Sequence, residues 1–208
     1  MDKIFFNNLV NRIKPCFEEG TSHEFSHTER VLNNALMLSK GENVDLDIIK
    51  AASLLHDIAR INEDSGEIKS HSEEGAKRSE QILKELNFPE EKINQVMDCI
   101  FTHSYNNGLK AKSREGEILQ DADRLDVLGA MGIGRTFFRA CEKKQPMNFS
   151  KLTNNSSNES IVERFDRTVL ARVPKNFNTE KAKKIAEDRY DYSKDFIKRF
   201  EMEIKGEA

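Results

Sequence analysis

Apolar positions recur at three- and four-residue intervals along most of the chain, and nowhere do they alternate with polar ones over a useful length. That period is helical. Residues 2–18 predict a short amphipathic helix with Ile4, Phe5, Leu9 and Ile13 on one side. A second helix is expected over 24–40, carrying Val31, Ala35 and Leu38. A third is expected over 46–60, after Asp45, whose short carboxylate suits an N-cap. Its apolar residues Ile48, Ile49, Ala51, Ala52, Leu54, Leu55 and Ile58 cover most of the circumference, so it should be buried on most sides.

The punctuation supplies the rest. Ser70-His71-Ser72-Glu73 has the form of a capping box and opens a fourth helix. Pro89 sits near the first turn of a fifth, which runs to about His103. Asn106-Asn107-Gly108 marks a turn, and 106–116 reads as a polar loop. A long helix is expected over 117–143, a loop over 150–160, and closing helices over 159–171 and 179–204. There is no internal repeat. The expected fold is all-α, one domain over 1–208, with a core at about 20–145 and a C-terminal helical lobe at about 150–205 packed on it.

Composition narrows the function classes. At 208 residues, with 37% hydrophobic and 33% charged, the chain can bury one helical core beneath a charged surface. A formal charge of -3 gives no global basic field, so no nucleic-acid polymer is expected as partner, while a small anionic substrate is allowed. Cys16, Cys99 and Cys141 are isolated, which indicates neither a zinc ribbon nor a disulfide framework and fits a reducing cytoplasm. The opening Met1-Asp2-Lys3 carries no apolar leader, and no run of about 18 apolar residues occurs. A cytoplasmic location without a membrane partner is expected.

The candidate chemistry lies in the histidines. His56-Asp57 ends the most apolar helix, and a buried carboxylate is costly unless paired or bound to a cation. Imidazole and carboxylate together suit zinc, manganese, iron or nickel. Asp123 lies within Asp121-Ala122-Asp123-Arg124-Leu125-Asp126 and shares a helical face with Leu119, Val127 and Ala130. His27 precedes the apolar stripe of the second helix, with Arg30 one turn on. His103 shares a face with Val96 and Cys99. His71 falls in a first turn, where the positive helix end favours the neutral, ligating imidazole. Against this, a lone histidine on an apolar face is usually a satisfied core residue, and an acidic run is usually a solvated surface. Spacing alone does not decide.

The order of the motifs resembles the HD superfamily of metal-dependent phosphohydrolases. His27-Thr28-Glu29-Arg30-Val31, then Ala51 through Leu55 with His56-Asp57-Ile58, then Asp121 through Asp126 look like its H…HD…D signature. His71-Ser72-Glu73-Glu74-Gly75-Ala76 and Ile100-Phe101-Thr102-His103-Ser104 match its intermediate elements. The stretch from Asp121 to Phe137 is similar to small HD hydrolases and bacterial nucleoside-triphosphate pyrophosphohydrolases.

The resemblance implies an all-α HD fold in which His27, His56, Asp57 and Asp123 bind one divalent ion: manganese, nickel, cobalt, iron, zinc or magnesium. Asp123 is chosen over Asp121 and Asp126 because the family's last ligand typically precedes a basic residue, here Arg124. His71 and His103 match positions that recruit a second ion in two-metal members; one ion is the expectation. The ion would polarise a phosphoryl oxygen and lower the pKa of its water. His71, if not a ligand, would be the general acid, with Asp57 also in the catalytic set. Arg30, Arg60, His103 and Arg124 would face the substrate. Some relatives carry a glutamate one turn after the HD pair, where this chain has Arg60. Glu63 or Asp64 would then take the base role, unless none is needed; for the acid role, Glu73 and Glu74 are poorer candidates than His71.

The expected substrate is a small phosphorylated molecule, a nucleotide foremost, with triphosphate pyrophosphohydrolase action ahead of 5′-nucleotidase action. The competing readings are a di-iron oxygenase, a non-catalytic metal-stabilised nucleotide-binding module, and a plain helical scaffold. A homodimer is compatible with each. Gly129-Ala130-Met131-Gly132-Ile133-Gly134 lacks the preceding strand and the lysine of a phosphate loop, so it reads as close helix packing. Phe137 and Phe138 are expected in the core or a pocket wall. Phe149, Phe165, Phe177, Phe196 and Phe200 should dock the C-terminal lobe.

Overall fold

The computed structural model describes residues 1–145, 160–165, 167, 169 and 176–207, and among them the regular elements are helices, with no strand. None of these helices is long and apolar enough to cross a membrane. The chain divides into two compact units, Met1–Asp123 and Arg124–Ala208.

In the first unit, α1 spans Lys3–Ile13 and runs into a tight turn at Lys14–Cys16. Then come α2 (Phe25–Leu38), α3 (Leu46–Leu55), α4 (Arg60–Asp64), α5 (His71–Glu85) and α6 (Glu90–His103); α7 (Arg114–Leu125) begins here. The expected N-caps form, though the Glu73 carboxylate, which would complete a capping box, accepts from Lys77 Nζ at 2.8 Å. Asp45 accepts from the backbone N–H groups of Asp47 and Ile48, and Ser70 accepts from that of Glu73. α3 is the hub: Ile48, Ile49, Ala51, Ala52, Ser53, Leu54 and Leu55 are all buried, and α2 and α6 pack against it. Full burial of each such leucine or isoleucine contributes about 1.5–3 kcal/mol.

Two expected elements are cut short. The third helix stops at Leu55 rather than at 60, because the chain tightens into turns in which Ile58 N–H donates to Leu55 at 3.3 Å and Arg60 N–H to Asp57 at 2.9 Å. The expected helix over 117–143 is two helices, α7 and α8 (Gly129–Glu142). Turns at Val127 and Leu128 separate them, and Gly129 follows at φ +70°, a conformation L side chains rarely adopt. Val127 and Ala130 therefore do not continue the helix that carries Asp123. The expected loop at 106–116 holds a tight turn at Tyr105–Asn107 and the start of α7.

In the second unit, α8 is joined by α9 (Ile161–Phe165) and α10 (Glu180–Lys205). α10 fastens the α7–α8 break: Ser193 Oγ accepts from Gly129 N–H at 2.8 Å, and Arg189 donates to the Leu125 carbonyl at 2.8 Å. Phenylalanines cluster in this unit around the fully buried Phe165. Phe137 lies 5.4 Å from Phe200 and 6.1 Å from Phe196 between ring centres, and Phe165 lies 6.5 Å from Phe196. Phe138, expected in the core or a pocket wall, instead faces outward at 43% exposure, since its neighbour Phe137 takes the inward side of α8. Phe149 and residues 150–159 of the loop expected at 150–160 lie outside the described residues.

One glycine makes a sharp prediction. A Cβ at Gly132 would lie 2.2 Å from the backbone carbon and oxygen of Val127. Gly132→Ala is expected to destabilise the chain by about 3 kcal/mol, because backbone must move to admit it. Denaturant unfolding checks this; an unchanged midpoint would mean that α8 does not approach the break so closely.

Candidate metal centre

Helix ends of the first unit deliver the polar residues to one place. His27 stands in the first turn of α2, His71 opens α5, and His103 closes α6. His56 caps α3, Asp57 follows it, and Asp123 sits in the last turn of α7. His27, His56, Asp57, His71 and His103 are each at most 5% exposed, and the Asp123 side chain is 20% exposed.

Asp57 is at the centre. Its Oδ2 lies 3.7 Å from His27 Nε2 and 3.7 Å from His56 Nε2. Its Oδ1 lies 3.4 Å from His71 Nε2 and 3.6 Å from His103 Nε2. Within each pair the Nε2 atoms are close, 3.4 Å for His56 and His27 and 3.3 Å for His71 and His103. Asp123 Oδ1 joins the first pair, 3.4 Å from His27 Nε2. The result is two donor groups, His27/His56/Asp57 and Asp57/His71/His103, sharing one carboxylate.

The hydrogen bonds set which nitrogens face inward. His56 Nδ1–H donates to the Ser53 carbonyl at 2.8 Å, and His103 Nδ1–H to the Ile100 carbonyl at 2.6 Å. Each Nε2 is then turned, lone pair first, toward other nitrogens and the carboxylate. Such an assembly needs positive charge at its middle, as protons or as a metal ion. The pKa directions agree. Burial pushes His56 down to about 4, against the pull of Asp57, so it is neutral near pH 7. Burial also lowers His71. Burial works against His103 too, but the negative charge of Asp57, 3.6 Å from its Nε2, raises it. Asp57 stays well below the usual carboxylate range: burial would raise it, and His56, His103 and His71 outweigh that. Asp123 is likewise held low against burial, chiefly by His27. Two carboxylates and four imidazoles fit a divalent transition ion.

The other expected site residues are distributed as follows. α4 brings Glu63 to His71: its carboxylate pairs with Nδ1 and accepts the His71 backbone N–H at 3.2 Å. Arg60 Nη1 lies 3.3 Å from the same Nδ1 and 3.6 Å from Glu63, and Nη2 lies 3.6 Å from Asp64. Arg30 donates to Ser26 Oγ at 3.0 Å. Arg124 belongs to the second unit, where it donates to the Asn176 carbonyl at 2.6 Å. Asp126, weighed against Asp123 as a ligand, pairs with Arg135 at 2.9 Å in that unit. The Glu63–His71 pairing and the two carbonyl bonds that fix His56 and His103 were not visible in the sequence, since no periodicity signals them.

His56→Ala and Asp57→Ala are each expected to weaken Mn²⁺ binding by more than the roughly 10- to 100-fold that loss of an outer hydrogen-bond partner costs. Helical circular dichroism should persist, because α3 ends before both residues. Calorimetric titration reads the affinity, and wild-type binding in either variant would refute the site.

A model of the HD domain family matches residues 25–128. The Bacillus subtilis uncharacterized protein YpgQ is 30% identical, over 91% of this chain and 88% of its own length. The crystal structure of YpgQ in complex with ADP matches with a TM-score of 0.77 at 25% identity, covering 98% of this chain and 100% of that one. A Bacillus thuringiensis HD-superfamily hydrolase matches with a TM-score of 0.73 at 32% identity, with 96% of each chain covered. The buried histidines and carboxylates, the all-helical fold and these relatives agree: the chain belongs to the HD domain family.

Proposed function

We propose that this protein is a divalent-metal-dependent phosphohydrolase, in which water attacks the phosphorus of a small phosphorylated substrate, a nucleotide foremost. The observation that carries the reading is Asp57, a buried carboxylate whose two oxygens face two separate histidine pairs. In this reading His27, His56, Asp57 and Asp123 hold one ion, and Asp57, His71 and His103 hold a second. The sequence favours one ion; the shared carboxylate favours two. Bound there, the metal would offset phosphoryl charge and make water a stronger nucleophile near neutral pH.

The chain's own residues supply the rest. Burial of the ligand atoms keeps bulk water from screening them. Arg60 adds a fixed cation beside the second group, and its buried Nε has no hydrogen-bond partner among the described residues, so an anionic substrate gains there. The kinship with HD-superfamily hydrolases supports hydrolysis, and the ADP bound by YpgQ supports a nucleotide.

The test is a nucleotide panel with Mn²⁺, Co²⁺, Ni²⁺ or Mg²⁺ and identification of products. Release of pyrophosphate from nucleoside triphosphates is expected. Asp57→Ala should lower kcat at least about 1,000-fold, matching the several kcal/mol of charge stabilisation a metal supplies. Orthophosphate from monophosphates would replace this reading with a 5′-nucleotidase. Tight nucleotide binding without turnover would replace it with a non-catalytic binding module.

A further inference from the structure

His71 is held differently from His56 and His103. Those two rings each donate Nδ1–H to the carbonyl three residues earlier, so their own helices set the tautomer. His71 is the first residue of α5, and the carbonyl three residues back, at Ile68, lies outside that helix. Its Nδ1 instead meets two side chains with opposite demands. The Glu63 carboxylate only accepts, and so selects Nδ1–H with a bare Nε2. The Arg60 guanidinium, 3.3 Å away, only donates, and so selects a bare Nδ1 with the proton on Nε2. A proton on Nε2 would block that atom as a ligand, where it faces Asp57 Oδ1 at 3.4 Å and His103 Nε2 at 3.3 Å.

We propose that Glu63 is a positioning residue: it holds His71 in the Nδ1–H tautomer against Arg60 and so keeps Nε2 available to the second donor group. This departs from the base role the sequence suggests for Glu63. Its carboxylate engages the Nδ1 side of the ring, whereas Asp57 faces the Nε2 side. The same Glu63 oxygen takes the His71 backbone N–H at 3.2 Å, which ties carboxylate, ring and helix start into one unit. The 3.6 Å contact of Glu63 with Arg60 also offsets a positive charge next to a cation site. The inference rests on the reading of His71 as part of a second ion group.

The test uses the full-length chain, metal-free and labelled with ¹⁵N-histidine, near pH 7. In the wild type, His71 should show a protonated Nδ1 and a bare Nε2. In Glu63→Ala, Arg60 is left as the Nδ1 neighbour, and the two nitrogens should exchange character. Glu63→Gln keeps an acceptor oxygen and should keep the wild-type pattern, and the double variant Arg60→Ala/Glu63→Ala should give a mixture. Glu63 is on a five-residue helix and its side chain is 30% exposed, so the fold does not hang on it. Mn²⁺ titration gives the second readout: in Glu63→Ala the second equivalent should bind about 10- to 100-fold more weakly, with the first unchanged. A retained Nδ1–H in Glu63→Ala overturns the proposal whatever the hydrolysis assay gives. A tautomer exchange with both Mn²⁺ equivalents bound as in the wild type upholds the positioning role and refutes the second ion group. A wild type that binds no Mn²⁺ refutes the proposed function itself.

Discussion

A carboxylate buried among four imidazoles is the constraint around which this protein is arranged. Asp57 has given up most of its water, and an unpaired charge there would cost several kcal/mol. The Nε2 atoms of His27, His56, His71 and His103 all lie within 3.7 Å of its oxygens. Neutral imidazoles do not cancel a negative charge by themselves, and two of them are turned by backbone bonds so that lone pairs face the carboxylate. The centre is therefore complete only when it holds positive charge. That requirement links burial to chemistry: the features that make the site expensive to fold are those that suit it to a cation.

The fold meets the requirement with helix ends. α3 is apolar on nearly every side up to Leu55, and the polar pair follows where the helix stops. His71 and His27 come from helix starts and His103 from a helix end, so each reaches the centre without breaking an apolar stripe. The helix dipoles act in the same direction as the larger effects, disfavouring imidazolium at the start of α5 and favouring it at the end of α6. His71 is accordingly lowered, mainly by burial, and His103 is raised, mainly through Asp57. Histidines that share one carboxylate thus have different proton affinities.

Much of this is legible in the sequence, for reasons that differ by element. The caps at Asp45 and Ser70 can be read because N-cap chemistry involves residues two or three apart. The candidate site residues can be picked out from the order of the motifs, not from spacing, because His27, His56, Asp57, His71 and His103 meet only in the folded chain. The break after α7 cannot be read from periodicity, since Leu125, Leu128 and Met131 step at three-residue intervals across it; the signal is Gly129, whose positive φ the composition permits but does not announce. Phe137 and Phe138 are adjacent and equally apolar, and only the packing of α10 decides which is inside. The pairing of Glu63 with His71 spans a turn through Gly66 at φ +82°, and no local pattern predicts what such a turn brings together.

The most direct test of the account is anomalous diffraction at the manganese edge from crystals of the full chain grown with Mn²⁺. A peak is expected between Asp57 Oδ2 and the Nε2 atoms of His27 and His56, with a second between Asp57 Oδ1 and those of His71 and His103. Manganese bound elsewhere, with no peak within ligand distance of Asp57, would contradict it.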